Sequence, residues 1–189
     1  MPAASPGRYV ATFAIVALLA FLVTAGAHGA SLSTSAYLAP VGTCPGADEA
    51  SAPSPTQRRA VACLVNWART RDRRVSLRQP TSLRRAAALK GSEVVACASF
   101  SHTPCGADPA AALRAAGYRY SSYGENLFVG TWGEVSPRDV VAAWLASPTH
   151  RANILRPGFR DLGTTSVHAS GLDGVGDAVV WVAAFASPR

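Results

Sequence analysis

Two histidines and a glutamate stand out in this 189-residue chain as groups able to do chemistry. His102 closes the run Phe100-Ser101-His102, Glu125 lies in Gly124-Glu125-Asn126, and His150 falls in the segment from Ser147 to Leu155, S-P-T-H-R-A-N-I-L. Two imidazoles and a carboxylate that converge on one point can ligate a divalent ion, and a base oriented by a carboxylate needs the same groups. Taken singly, a histidine is more often a surface or satisfied core residue, and a glutamate ahead of an asparagine can simply accept N–H bonds from its own turn. Convergence therefore depends on the elements that carry the three residues.

The periodicity supplies those elements. Val61, Leu64, Val65 and Ala68 recur at helical spacing between Thr56 and Asp72, with arginines on the other face. Ser82 is placed to cap a second helix through Leu83, Ala86, Ala87, Lys90, Val94 and Cys97, running to about Ala98. A third, alanine-rich helix starts at Pro109 and is stopped by Gly117. Ser136-Pro137-Arg138-Asp139 opens a fourth with the form of a capping box, ending near Ser147. Leu162 to His168 and Val179 to Ala186 then change to strand composition across a Gly/Asp-rich loop, as two antiparallel strands would. Helices precede strands rather than alternating with them, so the expected class is an α+β layered domain. His102 then sits in a loop after the second helix, Glu125 at the entrance to a strand-like stretch, and His150 in a short helical turn after Pro148.

The compartment is read from the N-terminal run and the cysteines. An apolar run from Tyr9 to Ala27 follows Arg8 and closes on Ala25-Gly26-Ala27, the small-x-small form of a signal-peptide cleavage site. Residues 1–27 are expected to be a signal peptide, with an uncleaved N-terminal anchor as the alternative. Residues 28–55 read as an extended leader and residues 56–189 as the domain. Cys44, Cys63, Cys97 and Cys105 are an even set in a short exported chain, which favours two disulfides. Of the three pairings, Cys44 with Cys63 and Cys97 with Cys105 is favoured, because the second pair brackets His102. A buried free thiol at Cys97 is the alternative, and no C-x-x-C pair suggests a metal-thiolate centre.

The charge is uneven. Nine arginines between Arg58 and Arg85 face only Asp72, a stripe that could attract anionic lipid or cell-wall polymer, although a solvated surface accounts for such charges too. No basic motif is interleaved with aromatic residues, so no nucleic-acid partner is expected.

Taken in order, C-L-V-N-W-A-R (Cys63 to Arg69), S-F-S-H-T (Ser99 to Thr103), Y-G-E-N-L (Tyr123 to Leu127), V-x-x-W-L-A-S-P-T-H-R-A-N-I-L (Val141 to Leu155), F-R-D-L-G (Phe159 to Gly163) and V-V-W-V-A-A-F-A (Val179 to Ala186) resemble a secreted bacterial member of the CAP superfamily. That superfamily groups the cysteine-rich secretory, antigen and pathogenesis-related proteins, and the resemblance covers about residues 58 to 187. It implies an α-β-α sandwich, a small antiparallel sheet between helical layers, and a cleft with two histidines and two glutamates whose histidines can bind zinc. The first histidine matches His102, the first glutamate Glu125, and the second histidine His150, which lies thirteen residues before Gly163 as in the family. The second glutamate does not carry over: three residues after Trp144 stands Ser147. Glu134 is near in sequence but belongs to a loop, and His168 matches no cleft position.

The resemblance implies a cleft of His102, Glu125 and His150, with His102 and His150 as ligands of a weak zinc site, since loss of an outer partner lowers metal affinity by about 10 to 100-fold. The expected function is a monomeric, secreted binding or interaction module that contacts a lipid, a cell-envelope component or a protein. A metal-assisted hydrolase of protease type and a structural domain with a vestigial cleft are the alternatives. Neither H-E-x-x-H nor G-x-S-x-G occurs. Asn126 and Asn153 are read as holding the cleft in shape through backbone hydrogen bonds. Tyr123 either lines the cleft or covers the sheet.

Overall fold

Leu64, Val65 and Ala68, the apolar stripe of the first expected helix, are fully buried in the computed structural model, which describes residues 33–189. The expected signal peptide, its cleavage point and the anchor alternative lie outside the described residues. A single helical turn, α1 (Thr34–Tyr37), precedes turns that lead to α2 (Ser54–Arg71). Tyr37, Ala39, Cys44 and Ala47 pack into the same core as α2, and Cys44 is bonded to Cys63. No helix among the described residues is long and apolar enough to cross a membrane.

The second helix, α3 (Thr81–Ala96), corrects one expectation. Its N-cap is Pro80, and Ser82 lies inside the first turn and caps nothing. Proline suits this place because its extended backbone and fixed φ feed directly into a helix. At the other end Ala98 (φ 45) follows the C-cap, with Ser99 N–H donating to Val94 O and Ala98 N–H to Val95 O. That is a Schellman stop with alanine where glycine is usual. A short turn (Pro104–Gly106) and α4 (Ala111–Ala115) follow, and Gly117 (φ 72) ends α4 by the same device.

The strand β1 (Tyr120–Thr131) starts before Gly124, so Glu125 lies in its middle rather than at its entrance. Gly124 and Gly130 break the apolar alternation that would have announced it. The helix α5 (Pro137–Ala146) carries the expected capping box, with Ser136 and Asp139 bonding each other's backbone N–H. Ser147 then adopts an extended backbone and Pro148 opens α6 (Pro148–Leu155). β2 (Asp161–Ala169) and β3 (Ala178–Pro188) pair antiparallel as expected, and β3 also pairs with β1.

The order β1-β3-β2 makes β3 central and leaves β1 and β2 as the two edges. Side chains of β3 alternate between two cores, as strand period demands. Val179, Trp181, Ala183 and Phe185 join α2, α5 and α6; Val180, Val182, Ala184 and Ala186 join α3 and α4. This is the α-β-α sandwich. The layers close tightly at Gly163 on β2, where a Cβ would fall 2.1 Å from the Leu83 carbonyl oxygen of α3.

Candidate functional site

His102 and Glu125 meet at the β1 edge and α6 carries His150 near them, where the two helical layers flank a strand that pairs on one side only among the described residues. His102 arrives from the α3 side on a loop bracketed by the Cys97–Cys105 disulfide, the pairing favoured from sequence. Both ends of that loop hold a non-glycine residue in left-handed backbone, Ala98 (φ 45) and Cys105 (φ 51). Such residues persist where the surroundings over-determine them. Lys90, the sole lysine of the chain, is 1% exposed on α3 and donates from Nζ to the His102 carbonyl at 3.0 Å while pairing with Glu93 at 3.2 Å.

Glu125 meets this loop from β1. Its buried carboxylate accepts from His102 Nδ1 at 2.7 Å on Oε1, and the Tyr123 hydroxyl stands 3.0 Å from Oε2. Tyr123 and Glu125 are two apart on a strand and so share a face. Tyr123 therefore lines the cleft, and burial together with the Glu125 charge holds its phenol far above the usual range.

His150 comes from the other layer on α6. Asn126, fully buried, donates from Nδ2 to the His150 carbonyl at 3.0 Å, and Asn153 donates to the Glu125 carbonyl at 3.1 Å and to Asn126 Oδ1 at 2.9 Å. The two asparagines thus stitch α6 to the β1 edge through backbone groups, as expected of them. Gly124 permits the approach: a Cβ there would meet Asn153 Oδ1 at 2.6 Å and the Phe159 ring at 3.0 Å. Glycine in G-E-N is demanded by packing against α6.

The electrostatics couple the two histidines. The hydrogen bond to Glu125 raises the His102 pKa above the ordinary imidazole value, against an opposing effect of burial. Burial, and then the nearby His102 charge, lowers that of His150. With Nδ1 donated to Glu125, His102 keeps Nε2 as its free ring nitrogen, the second-sphere pattern that fixes tautomer and ring orientation in metal-binding histidines. No group of three or more His, Cys, Asp or Glu side chains is assembled for a metal among the described residues. Ser147, at the position of the missing carboxylate, has its hydroxyl 3.2 Å from that of Thr149.

Other candidates lie elsewhere. Glu134 is exposed in its loop. His168 hydrogen-bonds Asp177 and packs its ring 4.7 Å from that of Trp132, outside the cleft. Cavities of about 300 to 430 Å³ open elsewhere in the described residues, lined by neither His102, Glu125 nor His150.

Two residues that organise the site were not singled out for it from sequence. Lys90 falls in the apolar stripe of α3, where a single lysine in a chain of arginines is itself a signal. Arg69 is 0% exposed at the end of α2 and donates to four backbone carbonyls: Val75 at 2.8 Å, Ile154 at 2.7 Å, Arg156 at 3.1 Å and Phe159 at 3.2 Å. It pins the C-terminal end of α6 and so sets the height of His150 against β1. Burial lowers its pKa to about 10, which leaves it charged at neutral pH.

Comparison with known proteins gives this geometry its context. The model of the cysteine-rich secretory protein family, CAP, matches residues 64–185. The Bacillus subtilis (strain 168) protein YkwD, itself described as uncharacterized, is 30% identical over 125 residues, covering 65% of this chain and 48% of that protein. The chain therefore spans about half the length of this curated relative. Among solved structures, an extracellular protein containing a SCP domain from Bacillus anthracis str. Ames superposes with a TM-score of 0.59 at 19% identity, over 71% of this chain and 41% of that one. An outer surface protein from Borrelia burgdorferi gives a TM-score of 0.57 at 18% identity, over 68% of this chain and 90% of that one. At such identities these two likenesses establish the fold.

Proposed function

This chain belongs to the cysteine-rich secretory protein (CAP) family, and on that premise we propose that it is an exported binding module that takes its extracellular ligand at the His102, Glu125 and His150 cleft. The observation that carries the reading is the 2.7 Å bond from His102 Nδ1 to a buried Glu125 carboxylate, beside a second imidazole carried by the opposite layer. A carboxylate buried at a strand edge is costly unless it is paired, so the arrangement holds one imidazole in a chosen orientation. His102 and His150 are the residues that would hold zinc, and the ion would supply a Lewis-acidic point for an oxygen or nitrogen of the ligand. The extracellular and outer-surface descriptions of the structural neighbours support export, as does the N-terminal apolar run.

The same His102–Glu125 pair supports a second reading, in which His102 acts as a carboxylate-oriented base on water, as in a metal-assisted hydrolase. Calorimetric titration of zinc into the native protein and His102→Ala separates the classes. The binding-module reading expects weak zinc affinity that is lost in His102→Ala, with no zinc-dependent turnover of a casein substrate. Zinc-dependent turnover lost in the same variant would favour the hydrolase, and identical titrations of the two proteins would remove the metal from both readings.

A further inference from the structure

The opposite edge of the sheet carries a different chemistry. Along β2, where α2 and α3 begin on the two sides of the sheet, two adjoining cavities of about 310 and 300 Å³ share Arg58 and Arg84 as walls. Arg85, Thr81 and Ala88 complete one with Thr164 and Thr165 behind them; Arg59, Gln79 and Pro55 complete the other. Among the described residues, no acidic side chain lines either cavity. Arg58 and Arg85 make no side-chain hydrogen bond or ion pair among the described residues, while Arg59 and Arg84 bond only neutral oxygens, those of Thr56, Gln79 and Thr81. Thr164 and Thr165 are buried, so the groove has a built floor.

The helices add to this field. α2 and α3 both start at the groove behind a proline N-cap, with no side-chain cap and no acid in the first turn. Each helix start is equivalent to roughly half a positive charge with free N–H groups, which favours anions and disfavours cations. Here four arginines are placed against that preference. A bound anion would offset this concentration of like charge.

We propose that this β2-edge groove binds a linear polyanion bearing phosphate groups, with one phosphate in each cavity and the Arg58 and Arg84 guanidinium groups between them. Guanidinium forks pair bidentately with phosphate oxygens, and the Thr81 and Thr165 hydroxyls and helix N–H groups supply further donors, Thr164 being bonded to the Arg58 carbonyl. Two joined cavities select a ligand with more than one anionic group over a single ion. The concave shape suits a chain laid along the groove better than the flat surface of a lipid bilayer. The inference is independent of the cleft at the other edge.

The test is titration of tripolyphosphate into the full chain at about 0.15 M salt, where surface charges more than about 8 Å apart are screened. The expected result is measurable affinity, weaker by about tenfold or more in R58Q/R84Q and by about threefold or more in R58Q/R85Q, with orthophosphate about tenfold weaker on the native chain. R71Q/R119Q, which removes two exposed arginines outside the groove, and His102→Ala should stay within about twofold. R58Q/R85Q loses no side-chain hydrogen bond and decides the matter if R58Q/R84Q fails to fold. Absence of tripolyphosphate binding, or equal losses in all three arginine pairs, overturns the proposal. So does binding to phosphatidylglycerol vesicles that is lost in R58Q/R85Q when tripolyphosphate binding is not, because the site would then be a membrane surface.

Discussion

His102 Nδ1 donates to Glu125 Oε1 across 2.7 Å, joining the loop after α3 to the middle of an edge strand. The bond raises the His102 pKa while burial lowers that of His150, so the two imidazoles titrate on opposite sides of the ordinary value of about 6.5. The signs follow from linkage. The stability that His102 gains is fully present below about pH 6.5 and is lost as pH rises through its higher folded value. The His150 contribution is present above about pH 6.5 and is lost as pH falls through its lower folded value. NMR titration of metal-free protein should show His102 above and His150 below the free imidazole, and Glu125→Gln should bring His102 down. A His102 pKa unmoved by that change would mean the bond is not made in solution.

A carboxylate at the Ser147 position should strengthen the two-imidazole site. Ser147→Glu is expected to tighten zinc by about tenfold, and Glu125→Gln to weaken it by a similar factor. Unchanged affinity in a folded Ser147→Glu protein would place the missing ligand elsewhere.

Arg69 is a buried cation with four carbonyl partners, one of them the carbonyl of Ile154 in the α6 helix. Arg69→Ala should cost about 3 kcal/mol or more in urea unfolding, since four acceptors lose one fork at once. Arg69→Lys keeps the charge but cannot reach all four, and should recover only part of that loss. A loss below about 1 kcal/mol in Arg69→Ala would show that water replaces the fork.

The Schellman stop of α3 puts alanine at φ 45 where α4 uses Gly117 at φ 72. Ala98→Gly should therefore stabilise the protein by roughly 0.5–1 kcal/mol, and Gly117→Ala should destabilise it by a similar amount. Melting curves of the two variants moving in the same direction would contradict this.

Gly163 and Gly124 differ in what a side chain would strike. At Gly163 it is the α3 backbone at 2.1 Å; at Gly124 it is the Asn153 amide at 2.6 Å and the Phe159 ring at 3.0 Å. Gly163→Ala should cost more than Gly124→Ala, about 2 kcal/mol or above, because a backbone cannot rotate aside. Gly124→Ala should instead weaken zinc through displaced α6. The reverse ranking in stability would argue against the close α3–β2 approach.

What the sequence alone determined is what a few neighbouring residues decide together. The capping box of Ser136 with Asp139, the stop at Gly117 and the Val-, Thr- and aromatic-rich composition of β2 and β3 are local features, and they were legible with their boundaries nearly in place. The family motifs named His102, Glu125 and His150, but spacing along the chain could not say that His102 bonds Glu125 at the edge of β1. Only the tertiary structure decided that Arg69 bonds carbonyls 85 to 90 positions later, that Lys90 turns inward to hold the His102 loop, and that Gly124 is glycine because α6 lies against it. It also decided that the arginines of α2 and α3 share one groove at β2, opposite the histidine edge. The physical reason is common to all of these. A buried charge or a missing Cβ answers to whatever packs against it, and the partner is chosen by the fold rather than by the neighbouring residues in the chain.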